Sequence, residues 1–465
     1  MTDVRVDVAV VGGGISGLAA AHALAKAGRS FVVLEAGPRW GGVVRSEHAD
    51  GFLLEGGPDS ILAQKPEALA LCRELGLGEQ LIPTNPHQRQ VFVLHRRRLH
   101  PLPEGMLLAV PTRILPFLRS RLFSWPGKLR MGLDLVIPAR RGADDESIAD
   151  FLRRRFGNES VERLGEPLLA GIHAGDPERL SIACTFPRFA ELERRHGSLV
   201  RGMWKAPAPP PRPPGTPPPS AFWSLRGGLS DLVDALVARL PAERLRLGAP
   251  AVSLERDGRG LALKVDGSGV VRARAVVVAV PAHRAADLLA GPLPRAAASL
   301  AEVRFAHTAT VLLGYRREDV AHPLDGYGLV VPAGERLRCS ALSFFSTKFP
   351  GRAPDGHVLL RGFLGGMRDP GALDLDDAAL VELVTREMAP VVGLRGAPRL
   401  ARVFRWPSGT PQMEVGHLER LAAIERDVAT LPGLFLTGAG LRGTGLPDCV
   451  ADGSRVAAQA VAALG

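Results

Sequence analysis

Hydrophobic and polar positions fall into a strand–helix–strand rhythm at the start of the chain. An apolar run, Val6 to Val11, interrupted only by Asp7, has the length and β-branched character of a strand buried on both faces. Three glycines end it. An alanine- and leucine-rich stretch then runs to about Gly28 and predicts a helix, and a second apolar run, Phe31 to Leu34, ends in Glu35. The same reading predicts a helix from about Pro66 to Leu75. It predicts another with apolar positions at 229, 232, 233, 236, 237 and 240, capped by Ser230. Strands are expected at Ala251 to Arg256, Leu261 to Val265 and the buried run Ala275 to Val280. Beyond Leu293 strand-like runs at Thr308 to Leu313, Gly328 to Val331 and Val358 to Leu364 accompany a helix near Ala378 to Met388. Leu434 to Leu436 precedes a final glycine loop and helix.

This order predicts an α/β plus α+β chain: a Rossmann-like dinucleotide unit and an antiparallel-sheet substrate domain. The expected boundaries are 1–86, 221–290 and 402–465 for the first and 87–106 with 291–401 for the second. Residues 107–206 form a helical cap, and 207–220 a proline-rich loop. From Pro207 to Pro219 nine of thirteen residues are proline, which rules out helix or central strand and marks a loop insertion; a ligand for a PxxP-binding domain is the lesser alternative. Between Leu107 and Arg141 seven basic residues face one acid, interleaved with Phe117, Phe123 and Trp125. Such a stretch lies on a membrane surface or forms an ordinary cap with a solvated face.

Composition narrows the class. With 465 residues, 46% of them hydrophobic, the chain can bury several cores. The charge-free stretch Val8 to Ala25 is broken by adjacent glycines, so it reads as strand and helix rather than membrane anchor. Cys72, Cys184, Cys339 and Cys449 are widely spaced and form neither a disulfide framework nor a metal-ligand cluster, which suits a reducing cytoplasm. A net charge of +10 favours acidic partners, although a coding bias towards arginine explains it equally well.

The chemistry concentrates at Gly12-Gly13-Gly14-Ile15-Ser16-Gly17. Gly12 permits the tight turn, Gly14 lets a pyrophosphate approach backbone at the helix N-terminus, and Gly17 lets helix and strand pack closely. Glu35, 23 residues after Gly12, has the spacing of a ribose ligand. By itself the motif fits NAD as well as FAD. The continuation Ala36-Gly37-Pro38-Arg39-Trp40-Gly41-Gly42 resembles the extended flavin fingerprint of the amine-oxidase and phytoene-desaturase superfamily. In it Arg39 would reach the pyrophosphate and Gly41 and Gly42 would lie against the flavin.

Three later stretches resemble the oxygen-dependent protoporphyrinogen oxidases: Gly56-Gly57-Pro58-Asp59-Ser60, Gly171-Ile172-His173-Ala174-Gly175-Asp176-Pro177, and Thr437 to Gly453 at the end. The resemblance implies non-covalent FAD, contacted also by Ser16, Val252, Trp406, Gly438, Gly445 and Val450. It implies a tetrapyrrole against Phe363 and Val330, in a cavity lined by Gly171 and Gly175. His173 stands where relatives carry Tyr and is assigned no acid–base role; Phe363, Val330 and Val252 would otherwise be core. A carboxylate anchor is missing from its usual place, leaving Arg45, Arg89 and Arg97 as candidates. The implied reaction is oxidation of protoporphyrinogen IX by FAD and O₂, with coproporphyrinogen III as the alternative substrate. An amine oxidase, a carotenoid desaturase and a tetrapyrrole-carrying flavoprotein are more distant readings. No metal and no nucleic acid are implied. The family association with membranes makes the helical insertion membrane-facing, and a homodimer is the expected assembly.

Overall fold

A computed structural model describes residues 4–107, 109–142, 144–205, 219–258, 260–267 and 269–465. Of the proline-rich loop, 207–218 lies outside them. β1 (Val4–Val11) leads through the glycine turn into α1 (Ile15–Lys26) and back to β2 (Phe31–Leu34). β1 pairs in parallel with β2 on one side and with the strand Gly269–Val278 on the other. Alternate residues of β1 and β2 enter two separate cores: Val8, Val10, Phe31 and Val33 face one, and Ala9, Val11, Val32 and Leu34 face the other. A strand between two cores has no polar face, which is why these runs read as continuously apolar. The short strands Leu245–Arg246 and Leu434–Leu436 extend the parallel part, and Gly260–Val265 and Ala251–Asp257 close the sheet as an antiparallel meander.

The region between residues 106 and 205 is mostly helical. It packs around Phe117, Phe151, Phe156 and Leu164 and includes α2 (Glu166–His173), which directly follows a π-helical turn. A fully buried guanidinium organises this core: Arg155 Nε donates to Asp134 Oδ1 at 2.6 Å, and its other nitrogens reach the carbonyls of Ile137 and Gly197. Satisfying so many donors offsets the cost of burying the charge.

A second sheet holds β3 (Gly326–Val330), β4 (Ala341–Phe344) and β5 (His357–Gly365). Phe305–Arg316 pairs with β5 on the side away from β4, Leu400–Pro411 pairs with Phe305–Arg316 to form that edge of the sheet, and the hairpin Gln90–His95 with Arg98–Pro101 extends the β3 edge. One face of this sheet is covered by the helix Asp377–Val392, against which Gly362 is essential, since a β-carbon there would lie 2.7 Å from Val384. The chain ends in α3 (Leu446–Leu464), which packs along α1.

Three expectations change in detail. The second sheet is not wholly antiparallel, because β3 runs parallel to Gln90–His95; that hairpin arrives from early in the chain, and nothing local in either segment encodes its direction. The expected boundary at residue 402 falls inside Leu400–Pro411, a strand of the second sheet. Ser230 opens its helix rather than capping it: its hydroxyl accepts a hydrogen bond from the Ser46 N–H at 2.7 Å, tying the helix to a distant hairpin.

Candidate dinucleotide and substrate site

The glycines of the first turn divide by what they touch. Gly12 has φ +109°, and a β-carbon on it would lie 2.6 Å from the Ala279 carbonyl oxygen; on Gly17 it would lie 1.9 Å from that of Gly12. Both positions are dictated by protein packing. Gly14 differs: its conformation is ordinary and a β-carbon would meet no protein atom within 4 Å. The open space beside Gly14 adjoins the N-terminus of α1, where N–H groups lack helical partners. The loop at Gly41 and Gly42, both at positive φ, folds onto this turn, with Gly41 N–H donating to the Gly13 carbonyl at 2.8 Å.

Glu35 sits at the end of β2, and its two carboxylate oxygens accept from the N–H groups of Gly13 and Gly37, each at 2.7 Å. Arg39 turns towards its own loop, donating to the carbonyls of Trp40, Gly42 and Val44. Burial, with Arg45 nearby, lowers its pKa. These contacts brace the loop. Val252 falls at the register shift in its strand and is half exposed.

α3 brings in the other end. Gly438, at φ +130°, turns the chain after Leu434–Leu436, and Thr437 Oγ1 donates to the buried Asp452 at 2.7 Å. Gly445 precedes the first helical residue, with its N–H donating to Asp448 Oδ2 at 3.2 Å. Ser16 is buried and hydrogen-bonds Cys449, whereas Val450 lies in the core between the two helices. Lys65 holds the other Asp448 oxygen at 2.6 Å.

Phe363 and Val330 lie on one face of the second sheet. In register, Phe363 of β5 is opposite Ala341 of β4, which is opposite Val330 of β3, so the two larger side chains stand about 10 Å apart across a small one. α2 covers this row. A β-carbon on Gly171 would sit 3.5 Å from Ala341 and 3.7 Å from Val330. Val330 is buried; Phe363 keeps partial exposure. Gly175 packs against Leu180 and Gln412 instead. His173 makes an edge contact with Phe186 at 6.0 Å, and burial, helped by Lys65, lowers its pKa to about 4, leaving it neutral. Trp406, on the second sheet, donates from Nε1 to the Gly56 carbonyl at 2.8 Å. The three arginine candidates are not gathered here. Arg45 lies over Phe404 and faces Glu47, Arg89 donates to the Pro86 carbonyl, and Arg97 sits at a hairpin tip 3.9 Å from Glu335.

The family described as flavin containing amine oxidoreductase matches residues 15–461. The chain belongs to this family. Among curated proteins, the flavoenzyme is 35% identical to the coproporphyrinogen III oxidase of Bacillus subtilis (strain 168), over 99% of both chains. It is 34% identical to the chloroplastic protoporphyrinogen oxidase 1 of Spinacia oleracea, over 98% of this chain and 84% of the other. A crystallised protein of Exiguobacterium sp. 255-15, assigned as a protoporphyrinogen oxidase, superposes with a TM-score of 0.85 at 32% identity and 99% coverage of each chain. The chain is thus an FAD-dependent oxidoreductase of the porphyrinogen-oxidase type.

The residues fit FAD. Open space lies beside Gly14, and Glu35 and two helix N-termini border the same turn region. Within the glycine turn from Gly12 to Gly17, only Gly14 has no protein atom within 4 Å of a built β-carbon, as expected where a ligand rather than the protein needs the room.

Sequence reasoning missed the ionic cluster behind the Gly-Pro-Asp-Ser turn of this flavoenzyme. Asp59 accepts from Lys348 Nζ at 2.9 Å and from Arg361 NH1 at 3.2 Å, and these cations hold its carboxyl far below the usual range despite burial. Arg361 NH2 also donates to the Gly57 carbonyl. Glu55, without accessible surface, accepts from the Leu229 N–H and the Ser46 hydroxyl, both at 2.8 Å. The available signal was an arginine in the middle of the apolar run Val358-Leu359-Leu360-Arg361-Gly362-Phe363, where a strand has no reason to carry charge.

Proposed function

We propose that this flavoenzyme oxidises a porphyrinogen to the corresponding porphyrin. The observation that carries the reading is whole-length similarity to porphyrinogen oxidases at about a third identity; at the edge of the row that α2 covers, Phe363 keeps part of its ring exposed as an apolar surface suited to a tetrapyrrole. FAD, when bound, supplies hydride acceptance, with O₂ as terminal oxidant yielding hydrogen peroxide. Three two-electron rounds remove six electrons and six protons' worth of hydrogen from the macrocycle. The protein's share is to hold FAD through Glu35 and the glycine turns and to set the macrocycle against Phe363.

Coproporphyrinogen III is favoured by the name of the bacterial relative and protoporphyrinogen IX by that of the chloroplast relative. Supplying each porphyrinogen to the FAD-loaded protein in air and identifying the fluorescent product decides between them. Conversion of neither, with FAD bound, overturns the reading.

We also propose that the helical region rests on the surface of an anionic membrane, at the inner face of the cell membrane. Among the described residues no helix is long and apolar enough to cross a bilayer. Trp125, Leu129 and Val136 are nevertheless 66%, 73% and 70% exposed, Ile114 and Leu115 are more than half exposed, and Arg119 and Arg121 between them in the chain are exposed as well. Apolar side chains beside cations fit an interfacial position.

A further inference from the structure

Arg361 touches three things that the reaction needs kept in register. It lies two residues before Phe363 on β5, on the same face, and its guanidinium carbon is 4.8 Å from the centre of the Phe363 ring. One nitrogen meets Asp59, which Lys348 also neutralises; another donates to the Gly57 carbonyl. Gly57 in turn lies directly on the dinucleotide loop, since a β-carbon on it would be 1.8 Å from the Val43 carbonyl oxygen. That loop is fastened to the first glycine turn by Gly41. A single side chain therefore joins the aromatic wall to the loop over the dinucleotide turn.

Stability does not explain the residue. Arg361 is 3% exposed, and its Nε is buried with no hydrogen-bond partner. An apolar side chain of similar length would avoid that desolvation cost, and removing the arginine would not strand Asp59, which keeps Lys348. What the apolar substitute could not do is fix the ring. The guanidinium covers part of the Phe363 surface from its own strand, and its planar fork bonds the Gly57 carbonyl and the Asp59 carboxylate together, a geometry an ammonium cannot reproduce.

From this geometry we infer that Arg361 is a positioning residue for porphyrinogen oxidation: it fixes the face of Phe363 offered to the macrocycle relative to the flavin-side loop. The inference rests on the porphyrinogen reading and deepens it. Neither Arg361 nor Asp59 needs to touch the reacting carbon; the effect passes through Phe363 and Gly57.

The test compares wild type with Arg361→Met and Arg361→Lys, each loaded with FAD. The readouts are kcat and KM for the better porphyrinogen, normalised to bound FAD, and the visible circular dichroism of the bound flavin. Misplacement by about 1 Å is expected to lower kcat by between about ten- and a hundredfold, with KM changed less. The flavin band should change shape in both variants, because lysine restores the charge but not the fork. Wild-type kcat per bound FAD in Arg361→Met, or full rescue by Arg361→Lys, overturns the inference. If Arg361→Met does not fold, Arg361→Lys supplies both readouts. If wild type oxidises neither porphyrinogen, the substrate reading fails separately, and an unaltered flavin band in the variants then overturns the positioning role on its own.

Discussion

Gly453 of α3 lies directly on Ser16 of α1: a β-carbon built on it would come within 2.2 Å of the Ser16 carbonyl oxygen. The contact fixes how the two helices cross, and hence where both of their N-termini stand. In an exposed helix a glycine-to-alanine change stabilises by about 1 kcal/mol. Here Gly453→Ala should destabilise by about 1–3 kcal/mol, as overpacked sites do, and should release FAD. Thermal melting followed by flavin fluorescence reads both; a raised melting temperature with full FAD occupancy would show that the helices can move apart freely.

Phe363 offers a choice between core and platform. If it is a platform, Phe363→Ala keeps its FAD and melting temperature while kcat/KM for porphyrinogen falls sharply. A core ring would instead cost roughly 3–5 kcal/mol of stability on truncation. A stable, flavin-loaded variant as active as wild type would remove Phe363 from the substrate wall.

Glu55 should make stability depend on pH. Burial raises its carboxyl from 4.5 to about 7, against the opposing pull of the Leu229 N–H, the Ser46 hydroxyl, Arg352 and Arg361. The folded protein thus keeps a proton that the unfolded chain releases near pH 4.5. Between those values the native state binds more protons, so stability falls as pH rises from 4.5 to about 7 and then levels, by up to about 3 kcal/mol. Glu55→Gln should lack this component. Its melting temperature relative to wild type should rise from pH 5 to pH 8; a constant difference would mean that Glu55 is ionised throughout.

Replacing both Trp125 and Leu129 by Ser should weaken binding to vesicles containing anionic lipid by tenfold or more, since burying each such side chain contributes about 1.5–3 kcal/mol. FAD content should be unchanged because both are on the surface. Binding of wild type should also fall with salt. If wild type ignores anionic and neutral vesicles alike, the exposed side chains serve another contact.

The first βαβ unit was readable because its information is local: between its two cores the strands are apolar at every position, from Val8 to Val11 and from Phe31 to Leu34, and glycines mark where backbone meets backbone. The same locality exposed Val358 to Leu364 as a strand. The direction of β3 against Gln90–His95 was not readable, because pairing between distant segments leaves no periodicity in either. Nor was the Asp59–Lys348–Arg361 cluster, whose members come from three separate stretches and meet only after folding. Nor was the way Arg39 binds three carbonyls of its own loop, which depends on how that loop folds back.

The meeting of Ser16 with Gly453 also governs how the molecule comes into being. α1 is made well before α3 and carries an apolar flank, including Leu18, Ala20, Ala21 and Leu24, whose partners include residues of α3. Contacts so distant in sequence form slowly, and domains begin to fold as they leave the ribosome. A nascent chain therefore has to carry this flank uncovered, or shielded by a chaperone, until α3 arrives. Docking of α3 on α1 therefore also sets, only once both are made, the distance between the N-termini of the two helices.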